Sequence, residues 1–440
     1  MYTNKEIWKV GYPIFLSLLA QNIINVTDTA FLGRVGEVEL GASAMGGLFY
    51  ICLFTIAFGF STGSQIIIAR RNGEERYDQI GPVMVQGVFF LLALAAFAFG
   101  LMAIWGKEIL RLLISSDAIW QATVKFLDWR IYGFFFAFFG VMFRALFVGI
   151  TRTKVLTLNS IVMAVTNIIL DYLLIFGHAG FPKMGIEGAA IASVIAELVS
   201  LIFFILYTRC TVDLKKYGLD RFREIDFSLL KRVLNISIFV MMQYFLALIT
   251  WFVFFIVVEH LGQRELAIAN IVRSIYIVVM IPVSALSTTV NTLVSNTIGE
   301  GNTADVIPII RKVCKMTCYI ALVILAVMYT VPNWLISIYT NDASLVSESV
   351  PSIYVIGVSL FVAAIGNIAF SGVSGTGNTR SALALECCVM VCYIIYVYIV
   401  GIVWRQPVEI CFTTEVLYYV GLLIVSVIYL KKGTWQNKRI

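Results

Sequence analysis

Long apolar runs, separated by short polar breaks, set the rhythm of this chain from its first turn to its last. Stretches such as 87–104 and 236–258 contain no charged residue at all. An apolar run of about 20 residues is the length a helix needs to cross the hydrocarbon of a bilayer. Strict alternation of apolar and polar positions, the signature of a membrane barrel, is missing. The pattern therefore predicts twelve helical spans, near 8–32, 42–69, 80–105, 122–150, 155–177, 184–207, 231–259, 264–297, 307–332, 346–373, 381–404 and 408–430. The fold class expected is an all-α polytopic membrane protein, with twelve transmembrane helices in two pseudo-symmetric six-helix lobes.

Composition agrees. Hydrophobic residues make up 60% and charged residues 13% of the 440, against roughly 25% charged in a soluble domain. Too little polar surface remains to wet a globule of this size, so the backbone must satisfy itself inside lipid. With twelve spans, both termini and the even-numbered loops share one side. That side holds 22 of the 32 Lys and Arg, which makes it the cytoplasmic one. The net charge of +6 is thus a signal of topology and not of nucleic-acid binding. The expected location is the cell (inner or plasma) membrane, with no cleaved signal segment. Asp128 and Arg130 are expected at the outer interface. The eight Cys lie mostly within spans, where they read as small apolar filler.

The two halves overlay when 226 is added to the residue number. Gly36, Glu39 and Leu40 meet Gly262, Glu265 and Leu266; Ser61 and Thr62 meet Ser287 and Thr288; Gly73 and Glu74 meet Gly299 and Glu300; Gly149 and Thr153 meet Gly375 and Thr379. One offset holding over more than a hundred positions marks an internal duplication. The expected division is 1–207 and 231–440 as six-helix lobes, joined by a basic cytoplasmic linker at 208–230. Parallel repeats of this kind occur in transporters that expose a central site alternately to each side.

Two carboxylates interrupt the apolar pattern of the first half, Asp28 in the first span and Asp171 in the fifth. The repeat places Phe254 and Val397 at the matching positions. A charge at bilayer depth costs about 3 kcal/mol on insertion scales and more in simulation, so it usually marks a function. Gln21, Asn25 and Asp28 are spaced to share one helix face, as are Asn167 and Asp171. Polar faces on membrane helices turn from lipid towards partners or water. Two nearby carboxylates in a poorly solvated site cannot both ionise cheaply. A proton or Na+ relieves that strain, with Asn167 offering a neutral carbonyl oxygen to a hard cation. The alternative for each acid is a structural hydrogen bond to a neighbouring helix. Glu197 and Glu386 read either as cavity acids or as partners of basic residues near helix ends, and Arg144 and Arg273 as structural. Pro13 lacks the backbone donor of a mid-helix residue, which makes it a bending point on the helix that carries Asp28. No catalytic triad, zinc spacing or phosphate-cradling glycine loop occurs, so an enzyme is not expected.

These features together resemble the multidrug and toxic compound extrusion (MATE) transporters. The resemblance covers the whole chain. It rests on Pro13 followed by Asp28, on Arg144-Ala-Leu-Phe-Val-Gly149, on Gly185-Ile-Glu-Gly-Ala-Ala-Ile-Ala-Ser193 and on Ile298-Gly-Glu-Gly301. Asp28, Asn167 and Asp171 resemble the aspartate pair and preceding asparagine of the DinF-type branch. The NorM-type branch has a glutamate in its seventh span and an aspartate in its tenth. Here the seventh span reads Gln243-Tyr-Phe-Leu-Ala-Leu-Ile249, and the tenth has no acid inside the membrane.

The resemblance implies a cation-coupled antiporter that exports amphiphilic or cationic organic compounds by alternating access. H+ or Na+ would bind at Asp28, Asn167 and Asp171, with Gln21, Asn25 and Ser193 as further cation or substrate contacts. It implies no cofactor, small organic substrates, a monomer in the lipid bilayer and no nucleic acid. The rival within the wider superfamily is a lipid-linked oligosaccharide flippase, whose pyrophosphate substrate calls for more Arg and Lys inside the spans than Arg144 and Arg273.

Overall fold

A computed structural model describes residues 2–220, 225–433, 435 and 436 of the chain. Arg221 and Arg223 of the basic linker, and Lys438 and Arg439 of the basic C-terminus, lie outside the described residues.

Among the described residues every regular element is a helix. In chain order these are α1 (Asn4–Val35), α2 (Glu37–Gly73), α3 (Ile80–Leu113), α4 (Asp117–Arg130), α5 (Gly133–Gly149), α6 (Lys154–Phe176), α7 (Ile186–Thr211) and α8 (Phe227–Glu259). They continue with α9 (Gln263–Val279), α10 (Ile281–Gly299), α11 (Val306–Thr330), α12 (Pro332–Ser337), α13 (Ala343–Gly375), α14 (Thr379–Tyr398), α15 (Val408–Cys411) and α16 (Thr413–Lys432). Ten single helical segments are long and apolar enough to be candidate spans. The remaining two spans are bent pairs, α4 with α5 at 54° and α9 with α10 at 45°. The protein is thus a twelve-span helical membrane protein.

The two bends fall inside the predicted spans 122–150 and 264–297, where periodicity gives no warning. The second has a local cause. Pro282 sits in the first turn of α10, where its missing N–H costs nothing, whereas deep inside one continuous helix it would leave a carbonyl unpaired. Pro13, by contrast, lies inside an unbroken α1.

The helices pack into two compact units. The first is Leu16–Met241; the second combines the chain up to Phe15 with the chain from Met242. The change-over points, 15/16 and 241/242, are themselves 226 residues apart. Each half therefore begins with a helix, α1 or α8, whose first part packs in the other half's unit.

One interhelical approach displays the duplication in three dimensions. In the first unit, a Cβ on Gly63 would collide with the backbone and hydroxyl of Ser237; in the second, a Cβ on Gly11 would meet Thr289 Oγ1 at 3.1 Å. Position 63 maps onto 289, and 11 onto 237, so one approach is made twice with glycine on alternate partners. Gly63→Ala is expected to destabilise the protein by about 1–3 kcal/mol through overpacking. Gly47→Ala, at a helical glycine with no atom within 4 Å of the new methyl, is expected to be neutral or slightly stabilising. Thermal unfolding of both variants in detergent checks the pair.

Candidate functional site

The acids of the first half meet inside the first unit. Asp28 on α1 and Asp171 on α6 stand beside one another, bridged by Asn167 and close enough for each carboxyl to act on the other. Asp171 has no exposed surface and Asn167 only 1%, while Asp28 is half-buried. The i, i+4 spacing of Asn167 and Asp171 on α6 sets both on one face. Hydrogen-bond complementarity turns the Asn167 amide so that Nδ2 donates to Asp28 Oδ1 at 2.9 Å and to Asp171 Oδ2 at 3.3 Å. The opposite orientation would press an amide oxygen against carboxylate oxygens. In this orientation the amide nitrogen faces the acids. Asp171 Oδ1 has no hydrogen-bond partner.

A second layer, which the sequence does not assign to this site, lies behind the acids. Arg130, which the sequence pattern puts at the outer interface, turns its side chain into the helix bundle. Its side chain is only 12% exposed and reaches Glu197, 9% exposed, on α7. The pair is bidentate, with Nη1 to Oε2 at 2.8 Å and Nη2 to Oε1 at 2.7 Å. Such a fork gives geometric definition as well as energy. The guanidinium carbon also lies 3.6 Å from the centroid of the Tyr50 ring, and the Tyr50 hydroxyl donates to Glu197 Oε1 at 2.9 Å. Tyr50 is braced from its other side by Phe134, 4.8 Å away and nearly parallel. Gly133, which opens α5 just beyond the bend, is a glycine for a reason. A Cβ there would strike both Arg130 Nη1 and Glu197 Oε2.

The charge count follows directly. The Arg130 guanidinium pairs with Glu197 and also acts electrostatically on Asp28, and among the described residues no cation is paired with Asp171. Arg130 and Glu197 neutralise each other. Asp28 and Asp171 are then two adjacent carboxyls bridged by one neutral amide, and they cannot both ionise cheaply.

The other sequence candidates stand apart. Gln21 and Asn25 are exposed and, among the described residues, hydrogen-bond to neither acid. Ser193 is half-buried on α7, one turn before Glu197. Arg144 lies over the Phe58 ring at 4.7 Å and Arg273 over Phe255 at 5.0 Å. Both arginines cover aromatic faces in the way a structural role requires. Asp128 is exposed. The sequence signal for the second layer is weak: Arg130 and Glu197 are 67 residues apart, and neither repeats at the 226 offset.

Comparison with known proteins adds an independent line. The MatE family model matches residues 13–173 and 237–399, two segments whose last residues lie 226 positions apart. A probable multidrug resistance protein NorM of Agrobacterium fabrum is 28% identical over 321 residues, 71% of this chain and 67% of that protein. The protein of the same name from Thermotoga maritima is 24% identical over 395 residues, 86% of this chain and 81% of that one. A solved outward-facing multidrug resistance MATE family transporter of the MOP superfamily superposes with a TM-score of 0.88 at 16% identity, covering 99% of this chain and 97% of its own. The eukaryotic MATE transporter AtDTX14 also superposes with a TM-score of 0.88, at 15% identity and 98% and 96% coverage.

Proposed function

The chain belongs to the MatE family, and from that premise we propose that it is a cation-driven exporter of amphiphilic or cationic organic compounds, working by alternating access. The observation that supports this reading is the Asp28–Asp171 pair itself, two carboxyls brought together around one neutral amide inside the first unit. The pair is held by Asn167, and the nearby Arg130 guanidinium is committed to Glu197 by two hydrogen bonds. A site that must hold a cation to be neutral can take one from one side and release it to the other.

The residues divide the work as follows. Asp28 and Asp171 carry the cation. Asn167 bridges them and, by turning its amide, exchanges a donor that suits a bare carboxylate for an oxygen that suits Na+ or an acid proton. Arg130 and Glu197, with Tyr50, fix the position of α4 and α7 around the acids. Gln21, Asn25 and Ser193 offer further polar contacts to cation or substrate. Pro13 is the place at which α1 bends when Asp28 changes charge. Coupling requires that cation and substrate prefer different conformations, because a ligand with equal affinity for both shifts nothing. On this reading 1–207 and 231–440 are the duplicated lobes, 208–230 joins them on the cytoplasmic side, and both termini face the cytoplasm. The asparagine and the aspartate pair support assignment to the DinF-type branch.

The test is transport by the full chain in proteoliposomes loaded with a fluorescent organic cation. A pH gradient and a Na+ gradient are imposed separately. Export above the gradient-free rate under one of them is the expected result and names the ion. Equal rates with both gradients and with none would overturn the reading.

A further inference from the structure

Read along the chain, the second half lacks the two aspartates, replaced by Phe254 and Val397, and offers Glu386 either as a cavity acid or as the partner of a basic residue. The second unit nevertheless holds two buried carboxyls that the proposed site does not use. Glu386 on α14 and Glu415 on α16 are 5% and 4% exposed. Hydroxyls surround them. Tyr393 donates to Glu415 Oε1 at 2.9 Å, and the Tyr276 hydroxyl lies 3.3 Å from Glu415 Oε2 and 2.9 Å from the Tyr419 hydroxyl. Tyr418 donates to Glu386 Oε1 at 2.8 Å. Glu386 Oε2 makes no hydrogen bond, and neither does Nε2 of Gln243, the α8 amide that stands beside the same carboxyl.

The duplication shows what is missing. Tyr276 occupies the repeat position of Tyr50, and each tyrosine reaches a glutamate on the last helix of its half: Glu197 for Tyr50, Glu415 for Tyr276. Tyr393 occupies the position of Asn167. The position of Arg130, however, is taken by Ile356, which is fully buried. The first cluster thus has a fixed cation for its glutamate, and the second does not. The groups that face the two acids are Tyr276 from α9, Gln243 from α8, Tyr418 and Tyr419 from α16, and Tyr393 and Cys387 from α14 itself. The neighbouring α13 contributes Gly366, packed against the Tyr419 backbone. Among the described residues, no Lys, Arg or His pairs with Glu386 or Glu415. A buried carboxylate without a counter-charge is strongly disfavoured.

We infer that the second unit contains a second proton-binding site, centred on Glu386 and Glu415 and framed by Gln243, Tyr276, Tyr393 and Tyr418. The free Oε2 of Glu386 accepts a proton from water, and the new O–H donates to the Gln243 carbonyl oxygen once that amide turns. On deprotonation the proton returns to water and the amide nitrogen turns back to the carboxylate. The tyrosine hydroxyls donate to the carboxyl oxygens and so occupy the lone pairs a metal ion would need; what calls for the proton is burial of the two carboxyls without a counter-charge. Any contribution of this site to coupled export rests on the function proposed above; its protonation does not.

Infrared difference spectroscopy on the reconstituted full chain tests this, with pH stepped from neutral to alkaline. Surface carboxyls are already ionised there, so a lost protonated-carboxyl band reports buried acids only. In the Asp28→Asn/Asp171→Asn protein the band is expected to persist. Adding Glu386→Gln is expected to remove about half of it, and adding Glu415→Gln the rest. Tyr418→Phe, which keeps the acid and removes its donor, is expected to move the band without abolishing it. No band in the aspartate double variant, or a band indifferent to both glutamine substitutions, would overturn the inference and leave the Asp28–Asp171 reading untouched. A band of equal size in the wild type and the aspartate double variant would instead count against that reading and in favour of this site.

Discussion

Asp171→Asn is expected to lower gradient-driven export at least tenfold while the protein stays folded. The substitution keeps the shape of the side chain and one oxygen, and it falls on a residue with no exposed surface whose Oδ1 has no hydrogen-bond partner. What it removes is the exchangeable proton and the charge. A hydrogen bond to a charged group contributes about 1.5–3 kcal/mol, which corresponds to a factor of about 10–100 in the preference for the cation-loaded state. Gradient-free exchange of substrate should fall much less, because binding and conformational exchange do not require the cation. Asp28→Asn should act in the same direction. The double variant should be little worse than either single one, since two acids that contact the same amide act as a unit and their effects do not add. Export at the wild-type rate by both single variants, under the gradient that drives the wild type, would refute the assignment.

The second large effect lies one layer out. Arg130→Met is expected to destabilise the protein by about 3–5 kcal/mol, the range for removing one partner of a buried ion pair. Glu197 would remain at 9% exposure without its two guanidinium bonds. Tyr50 would lose the cation above its ring and keep only its bond to a now unbalanced carboxylate. Arg130→Met combined with Glu197→Gln should recover most of the loss, because the buried charge disappears with its partner. Thermal unfolding of the two single variants and the double variant in detergent separates these outcomes. Equal stability of Arg130→Met and wild type would mean that the pair holds nothing in place. Because Arg130 also acts on Asp28, the double variant should show altered pH dependence of export even where stability returns.

The likeness of the two clusters changes what the duplication means. Hydropathy and the repeat, read along the chain, present a first half that kept its acids and a second that lost them. In three dimensions both units bury carboxyls behind a tyrosine at the same repeat position, Tyr50 or Tyr276, and they differ in how the charge is balanced. Arg130 does it in one, and Ile356 leaves it undone in the other. The duplicated scaffold has been kept while its polar contents diverged.

Much of the architecture is readable in the chain itself. Twelve spans follow from apolar run lengths, because lipid offers no hydrogen bonds and forces each run to satisfy its own backbone. The duplication follows from one offset, and the placement of Asp28, Asn167 and Asp171 on inward faces follows from helical spacing. These are local properties, set within a few turns by the chain's own periodicity. The bends at 131–132 and 280, the Arg130–Glu197 fork, the Asn167 amide facing the acids with its nitrogen, and the tyrosine-framed glutamates depend on which helix lies beside which. Spacing tells which face a side chain occupies but not what stands opposite, and here the partners of Glu197 come from helices 67 and 147 residues away. Long-range packing of the helices decided those contacts.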